Sequence, residues 1–179
     1  HVDLTNIQNQ CRELDDEPRW LIALISDTGM RLSEAAGLVK EDIKLDDDHP
    51  HLILRPHTWR PLKTRGSART VPLVGMSLWA VQRAVEETAT SYLFPKYCDE
   101  QRCKSNSASG ALNKWMSARV PQGCVVHSFR HSLRDRLRAV ECAKDIVDRL
   151  GGWTVEGIGE TYGEGYPVSV LYKWMEKIV

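Results

Sequence analysis

Residues 18–38 read PRWLIALISDTGMRLSEAAGL. The run after Pro18 is a helix pattern: Trp20, Leu21, Leu24 and Ile25 share a face, and Gly29 suits its C-terminal end. Leu32 to Leu38 reads as a second, short helix with Ser33 near its start. Beyond it the period changes. Asp42 to Leu45, His51 to Arg55 and Arg69 to Leu73 are short and rich in branched residues. Asp46-Asp47-Asp48 and Arg65-Gly66-Ser67 supply turns between them, which predicts a three-stranded antiparallel sheet with Pro72 capping an edge strand. Helical spacing returns over Met76–Thr90, and Tyr92 to Pro95 is an extended exit. Cys98 to Ser109 reads as a polar loop running into a helix at about Ala108–Ala118. Three more helices are expected at His127–Val140, Asp145–Leu150 and Val168–Val179. The predicted class is α+β and mainly α-helical, with one small three-stranded antiparallel sheet inserted after the second helix. No linker-like stretch, internal repeat or low-complexity tract divides the chain.

Bulk properties narrow the class further. At 179 residues the chain is sized for one domain. Folding at this length buries roughly 70% of the unfolded surface, so a core needs no covalent staples. An apolar share of 42% and a charged share of 27% argue against disorder. The longest apolar runs are a few residues, too short to span a membrane. The sequence opens at His1 without an initiator Met or a signal pattern, which reads as a processed product or an excised fragment. Five scattered cysteines (11, 98, 103, 124 and 142) form no disulfide framework and no zinc spacing, and they point to a reducing compartment.

Formal net charge is zero, which taken alone predicts no nucleic-acid partner. The charges are segregated, however. Residues 13–48 hold eleven acids and four bases, residues 55–69 five bases and no acid, and residues 101–145 nine bases and three acids. Solvated helix faces are one reading. Two basic surfaces meeting one phosphate backbone are the other.

Some of these cations have suggestive company. Arg31 follows Gly29 at a helix break. His127 and Arg130, three apart, share one helix face and could address one group. An arginine fork matches phosphate oxygens in pairs, so two forks and an imidazole make a phosphate clamp without a metal. Lys63 sits on the turn between the second and third strands, where a flexible ammonium can reach a DNA groove or donate a proton. Tyr162 lies between glycines near the C-terminus, with Tyr166 and Tyr172 as competitors. Ionising a phenol at pH 7 costs about 4 kcal/mol, so a nucleophilic tyrosine needs a base or cations beside it.

The ordered set resembles the tyrosine recombinase (phage-type integrase) family, and the resemblance covers the whole chain as that family's C-terminal catalytic domain. TGMRLSEAAGL is similar to the first-arginine box, with Glu34 at its neighbouring acid. LKTRGSARTVPL is similar to the sheet segment with the active lysine at Lys63. HSFRH is similar to the second box, and LGGW with TYG to the last; this spacing selects Tyr162 over Tyr166. Trp153 stands where many members have His, and its indole N–H keeps a donor there. The core-binding and arm-binding domains that members carry upstream are absent from this chain.

The resemblance implies site-specific DNA recombination by transesterification. Tyr162 would attack a phosphodiester, leaving a 3′-phosphotyrosyl link and a free 5′-hydroxyl. Arg31 and Arg130 would stabilise charge on the non-bridging oxygens. Lys63 would protonate the leaving 5′-oxygen. His127 would act as base or phosphate donor, Trp153 would brace the phosphate, and Glu34 would orient an arginine or histidine. Arg55, Arg60, Arg65, Arg69 and Arg134 are the expected DNA contacts. No metal and no cofactor are expected. The expected partner is double-stranded DNA, bound by a homotetramer on synapsed sites, with the C-terminal helix either docked on a neighbouring protomer or packed on its own domain. The expected setting is the cytoplasm of a bacterium, on a bacterial or phage-encoded protein. Three other readings compete: a type IB topoisomerase-like relaxing enzyme, a non-catalytic DNA-binding module, and a metal-dependent nuclease. Asp46-Asp47-Asp48 reads as a solvated turn, which disfavours the nuclease.

Overall fold

The computed structural model describes residues 2–153 and 165–179. Its helices are α1 (Val2–Leu14), α2 (Glu17–Thr28), α3 (Leu32–Ala36), α4 (Gly75–Glu87), α5 (Ser105–Met116), α6 (Ser128–Ala139), α7 (Lys144–Gly151) and α8 (Val168–Glu176). The strands are β1 (Ile43–Lys44), β2 (His51–Leu54) and β3 (Arg69–Pro72).

The centre of the molecule is α2. Asp16 caps its start, accepting from the Arg19 backbone N–H, and Gly29 ends it in the left-handed region at φ 58°. Every residue from Trp20 to Thr28 is buried. The sequence pattern suggested one buried face; the structure wraps α2 with α1, α3, α4, α5 and α6, so all sides are covered. The helix α1 lies outside the sequence reading. It buries Ile7 and Cys11 against this core, with Leu4 packed at its margin.

The sheet matches the expectation. Its order is β1-β2-β3, antiparallel throughout, with Leu52 opposite Ile43 and Val71, and with Pro72 opposite His51 on edge strand β3. The connection from β2 to β3 runs over 55–68 and carries Lys63, with a short 3₁₀ turn at Arg65–Ser67. Helix α5 begins at Ser105, three residues before the expected start.

A second apolar cluster joins α6, α7 and α8 through Leu133, Leu137, Ile146, Val147, Leu150, Leu171 and Met175. Of the apolar stripe of α8, Leu171 and Met175 are buried within the chain, each 1% exposed, and the helix lies on β3, while Val170, Trp174 and Ile178 stay half-buried. Among the described residues, no helix is long and apolar enough to cross a membrane.

Candidate active site

One carboxylate organises the first wall of the site. Glu34, 2% exposed, reaches back to the start of α3, where its Oε2 accepts the Arg31 backbone N–H at 3.0 Å. This is half of a capping box. The same carboxylate accepts Arg31 Nη1 at 2.7 Å and Arg69 Nη2 at 3.1 Å. Burial alone would raise the Glu34 pKa; Arg69 and Arg31 outweigh it and hold the carboxyl below its usual range. Arg31 also donates to Ser67 Oγ at 3.1 Å. Its side chain keeps 23% exposure, so part of its fork faces the cleft.

Arg130 lies near Arg31. It projects from the first turn of α6 and is 4% exposed. Nη1 donates to the Gly29 carbonyl at 2.7 Å and Nη2 to the Gly151 carbonyl at 2.9 Å. Two helix ends thus aim one guanidinium. Both glycines are required sterically. A Cβ at Gly29, besides the strained φ, would approach Leu133 to 2.7 Å; one at Gly151 would collide with the Trp153 ring. Trp153 in turn faces two cations, with the Arg130 and Arg134 guanidinium carbons 5.0 and 4.1 Å from its ring centroid. Burial, then repulsion from Arg31, pushes the Arg130 pKa down to about 10, which leaves it charged at neutral pH.

His127 sits just before α6, exposed and 5.9 Å from His131 between ring centroids. Its pKa is lowered from 6.5, first by desolvation and then by Arg130, His131, Arg31 and Lys63. The ring is therefore neutral at pH 7, with one nitrogen able to accept a proton. Arg31, Lys63 and His127 line one open cleft of about 390 Å³, closed on its far side by Ser105, Asn106 and Ser109 of α5. The structure thus brings Arg31, Lys63, His127, Arg130 and Trp153 to one place, with Glu34 behind them. Tyr162 lies outside the described residues.

The proposed DNA contacts divide. Arg134 is half-buried over Trp153, and Arg55 is exposed but tied to Glu41 and Asp42. Arg65 lies in the β2–β3 connection. Two assignments are corrected. Arg60, 1% exposed, donates to the carbonyls of Glu34 (3.0 Å) and Arg55 (2.7 Å). Arg69, 3% exposed, holds Glu34 and the carbonyls of Ser67 (2.8 Å) and Leu150 (3.1 Å). Both guanidiniums are bound to internal acceptors, and neither lines the cleft of Arg31, Lys63 and His127. Ser67, Gly29 and Gly151 are the parts the sequence reading missed: it saw only turn and helix-stop signals where the structure has the partners of Arg31 and Arg130.

Among the described residues one trio has donor atoms close enough to share a cation: Glu41, Asp42 and His57, all within 4.8 Å. Its core is already compensated. Asp42, 1% exposed, accepts Arg55 Nε at 2.6 Å and lies 2.6 Å from His57 Nε2. This is an ion-pair network bracing β1 against the β2–β3 connection.

The backbone resembles several solved structures. It superposes on the Tn1549 transposon integrase (aa 82–397) in complex with circular intermediate DNA with a TM-score of 0.60 and 18% identity, over 96% of this chain and 61% of that one. It superposes on the XerH site-specific recombinase bound to palindromic difH substrate, a post-cleavage complex, with a TM-score of 0.60 and 17% identity, over 99% of this chain and 49% of that one. The chain therefore spans about half to three-fifths of these proteins. None of the curated proteins matches the sequence. The family model described as "Phage integrase family" matches residues 2–164 of the 179. With a family model covering nearly the whole chain, the chain belongs to the phage integrase family.

Proposed function

We propose that the chain is the catalytic domain of a site-specific DNA recombinase, cutting and rejoining strands by transesterification. The carrying observation is the convergence of Arg31, Lys63 and His127 on one cleft, with Arg130 near Arg31, close enough to His127 to depress its pKa, and stacked on Trp153. Three fixed positive charges and a neutral imidazole suit a phosphodiester whose charge grows in the transition state.

In this mechanism the scissile phosphate enters between Arg31 and Arg130. Their inner N–H groups are held by Glu34, Ser67, Gly29 and Gly151, so the outer ones need no reorganisation when charge develops. Tyr162 Oη attacks phosphorus, its proton passing to His127 or solvent. The bond to the 5′-oxygen breaks as Lys63 Nζ donates a proton to it. The products are a 3′-phosphotyrosyl link and a 5′-hydroxyl, and the reverse attack by a partner strand's hydroxyl restores DNA. The phosphodiester's energy stays in the covalent link, so no nucleotide cofactor is consumed. The proposed cations bind double-stranded DNA, with Arg134 and Arg65 on the flanking backbone, and strand exchange proceeds between synapsed sites.

The test uses DNA in which the 5′ leaving oxygen is replaced by sulfur. Lys63→Ala should cleave ordinary DNA slowly and the thio substrate at the wild-type rate, because a thiolate leaves without a proton. Equal impairment on both substrates removes Lys63 from the acid role.

A further inference from the structure

Cys98 and Cys103 face each other across a short hairpin outside the cleft's catalytic set. They form an isolated antiparallel bridge. The flanking bonds run from the Asp99 N–H to the Arg102 carbonyl (3.2 Å) and from the Lys104 N–H to the Tyr97 carbonyl (2.6 Å). The two cysteines are therefore a non-hydrogen-bonded pair, the kind whose Cα atoms sit about 4.5 Å apart. That spacing lies within the range a disulfide spans, roughly 4.4–6.8 Å. The hairpin tip is fixed as well: Asp99 Oδ1 accepts the backbone N–H groups of Gln101 (3.0 Å) and Arg102 (3.1 Å), and Lys104 pairs with Asp99 at 3.1 Å.

The two thiols are unequal. Cys98 is 1% exposed, whereas Cys103 is half-buried and lines a small surface depression with Arg102 and Ser105. We propose that Cys98 and Cys103 are a reversible thiol–disulfide site, oxidised by a peroxide, with Cys103 as the attacking sulfur and Cys98 as the resolving one. The Cys103 thiolate attacks a peroxide oxygen as the O–O bond breaks, giving a sulfenic acid, and the departing hydroxide takes up the proton the thiol had released, leaving as water. Cys98 sulfur then displaces the sulfenic oxygen, its proton leaving with that oxygen as a second water. Two thiols lose two electrons and one hydrogen peroxide accepts them. The electrostatics point the same way. The Cys103 pKa is lowered, first by the hydrogen bond from the Cys98 thiol and also by Arg60, while that of Cys98 is raised by the same bond and by burial. The site adjoins the cleft wall: Cys103 Sγ lies 3.8 Å from the Ser33 carbonyl, and its N–H donates to the Trp59 carbonyl at 3.2 Å.

The reduced chain has five free cysteines, of which Cys124 is exposed. The experiment treats the folded 179-residue chain and its Cys124→Ser variant with hydrogen peroxide, blocks remaining thiols, and digests with trypsin. The expected product joins the peptide Tyr97–Arg102 to Cys103–Lys104. It is two hydrogens lighter than its parts and is lost on reduction; in the variant, free thiols fall from four to two. Cys98→Ser should instead leave a sulfenic acid at Cys103 that dimedone traps, with the far-ultraviolet circular dichroism unchanged. A Cys103 driven to sulfinic acid while Cys98 stays free overturns the proposal. So does peroxide treatment that leaves both thiols intact, or a linked peptide that forms only in the denatured chain.

Discussion

Two buried carboxylate–arginine networks use the same chemistry to different ends. In α3, Glu34 binds Arg69 and Arg31, and one of those two guanidiniums still meets solvent. In the last turn of α2, Asp27 binds Arg136 at 3.1 Å, Gln8 at 2.9 Å and the Met76 N–H at 2.8 Å. Arg136 also donates to the carbonyls of Ser26 (2.6 Å) and Ile178 (3.2 Å). The first network aims a cation outward; the second staples α6 and the C-terminal segment to α2.

The largest effect should come from removing either central acid, because each deletion strands a buried guanidinium. Glu34→Ala and Asp27→Ala should each lower unfolding free energy by about 3–5 kcal/mol, measured by urea titration. Similar losses for both would equate the networks as folding elements; a small loss for either would show that its arginine finds water. Next come the arginines themselves. Arg31→Ala should slow DNA cleavage ~10²–10³-fold with little change in melting temperature. Arg136→Ala should do the reverse, unfolding more easily while its folded fraction cleaves normally. If both variants lose stability and activity in proportion, the contrast between the networks collapses.

A smaller effect separates exposed from internal cations in binding. Arg134→Ala should reduce the salt slope of DNA affinity by about one unit, whereas Arg60→Met should leave it unchanged. The smallest effect is on pH. The folded pKa of His127 lies below 6.5, so the native state binds this proton less readily than the unfolded chain. Its contribution is fully present above pH 6.5 and is lost as pH falls toward the folded value. Cleavage that needs neutral His127 should hold from pH 8 to 6.5 and decline below it, and His127→Gln should flatten that limb of the rate profile.

Much of this was legible in the residues. The change from helical to alternating period after Leu38, Gly29 as a stop and Pro72 at an edge located the sheet within a residue or two. Arg31, Lys63 and Arg130 were each weak as single residues; only their order and spacing, which resemble those of a known family, singled them out. Arg60 and Arg69 were not. They sit in a run of bases without an acid, yet fold inward because Glu34, from a distant acidic segment, and unpaired carbonyls need donors. Charge counts along a chain carry no information on which partner arrives from elsewhere. The helix α1 offered only Leu4, Ile7 and Cys11 as apolar spacing, and tertiary contact with α2 supplies the rest. The C-terminal stripe was legible as apolar but not as to which surface it covers.

The most direct measurement mixes the protein with supercoiled DNA at low salt in excess chelator, denatures it, and assays for protein joined to a 3′ phosphate, with Tyr162→Phe alongside. An adduct in the wild type alone is the predicted result. An adduct that persists in Tyr162→Phe, or cleavage that stops when divalent ions are removed, would contradict a tyrosine nucleophile working between Arg31 and Arg130.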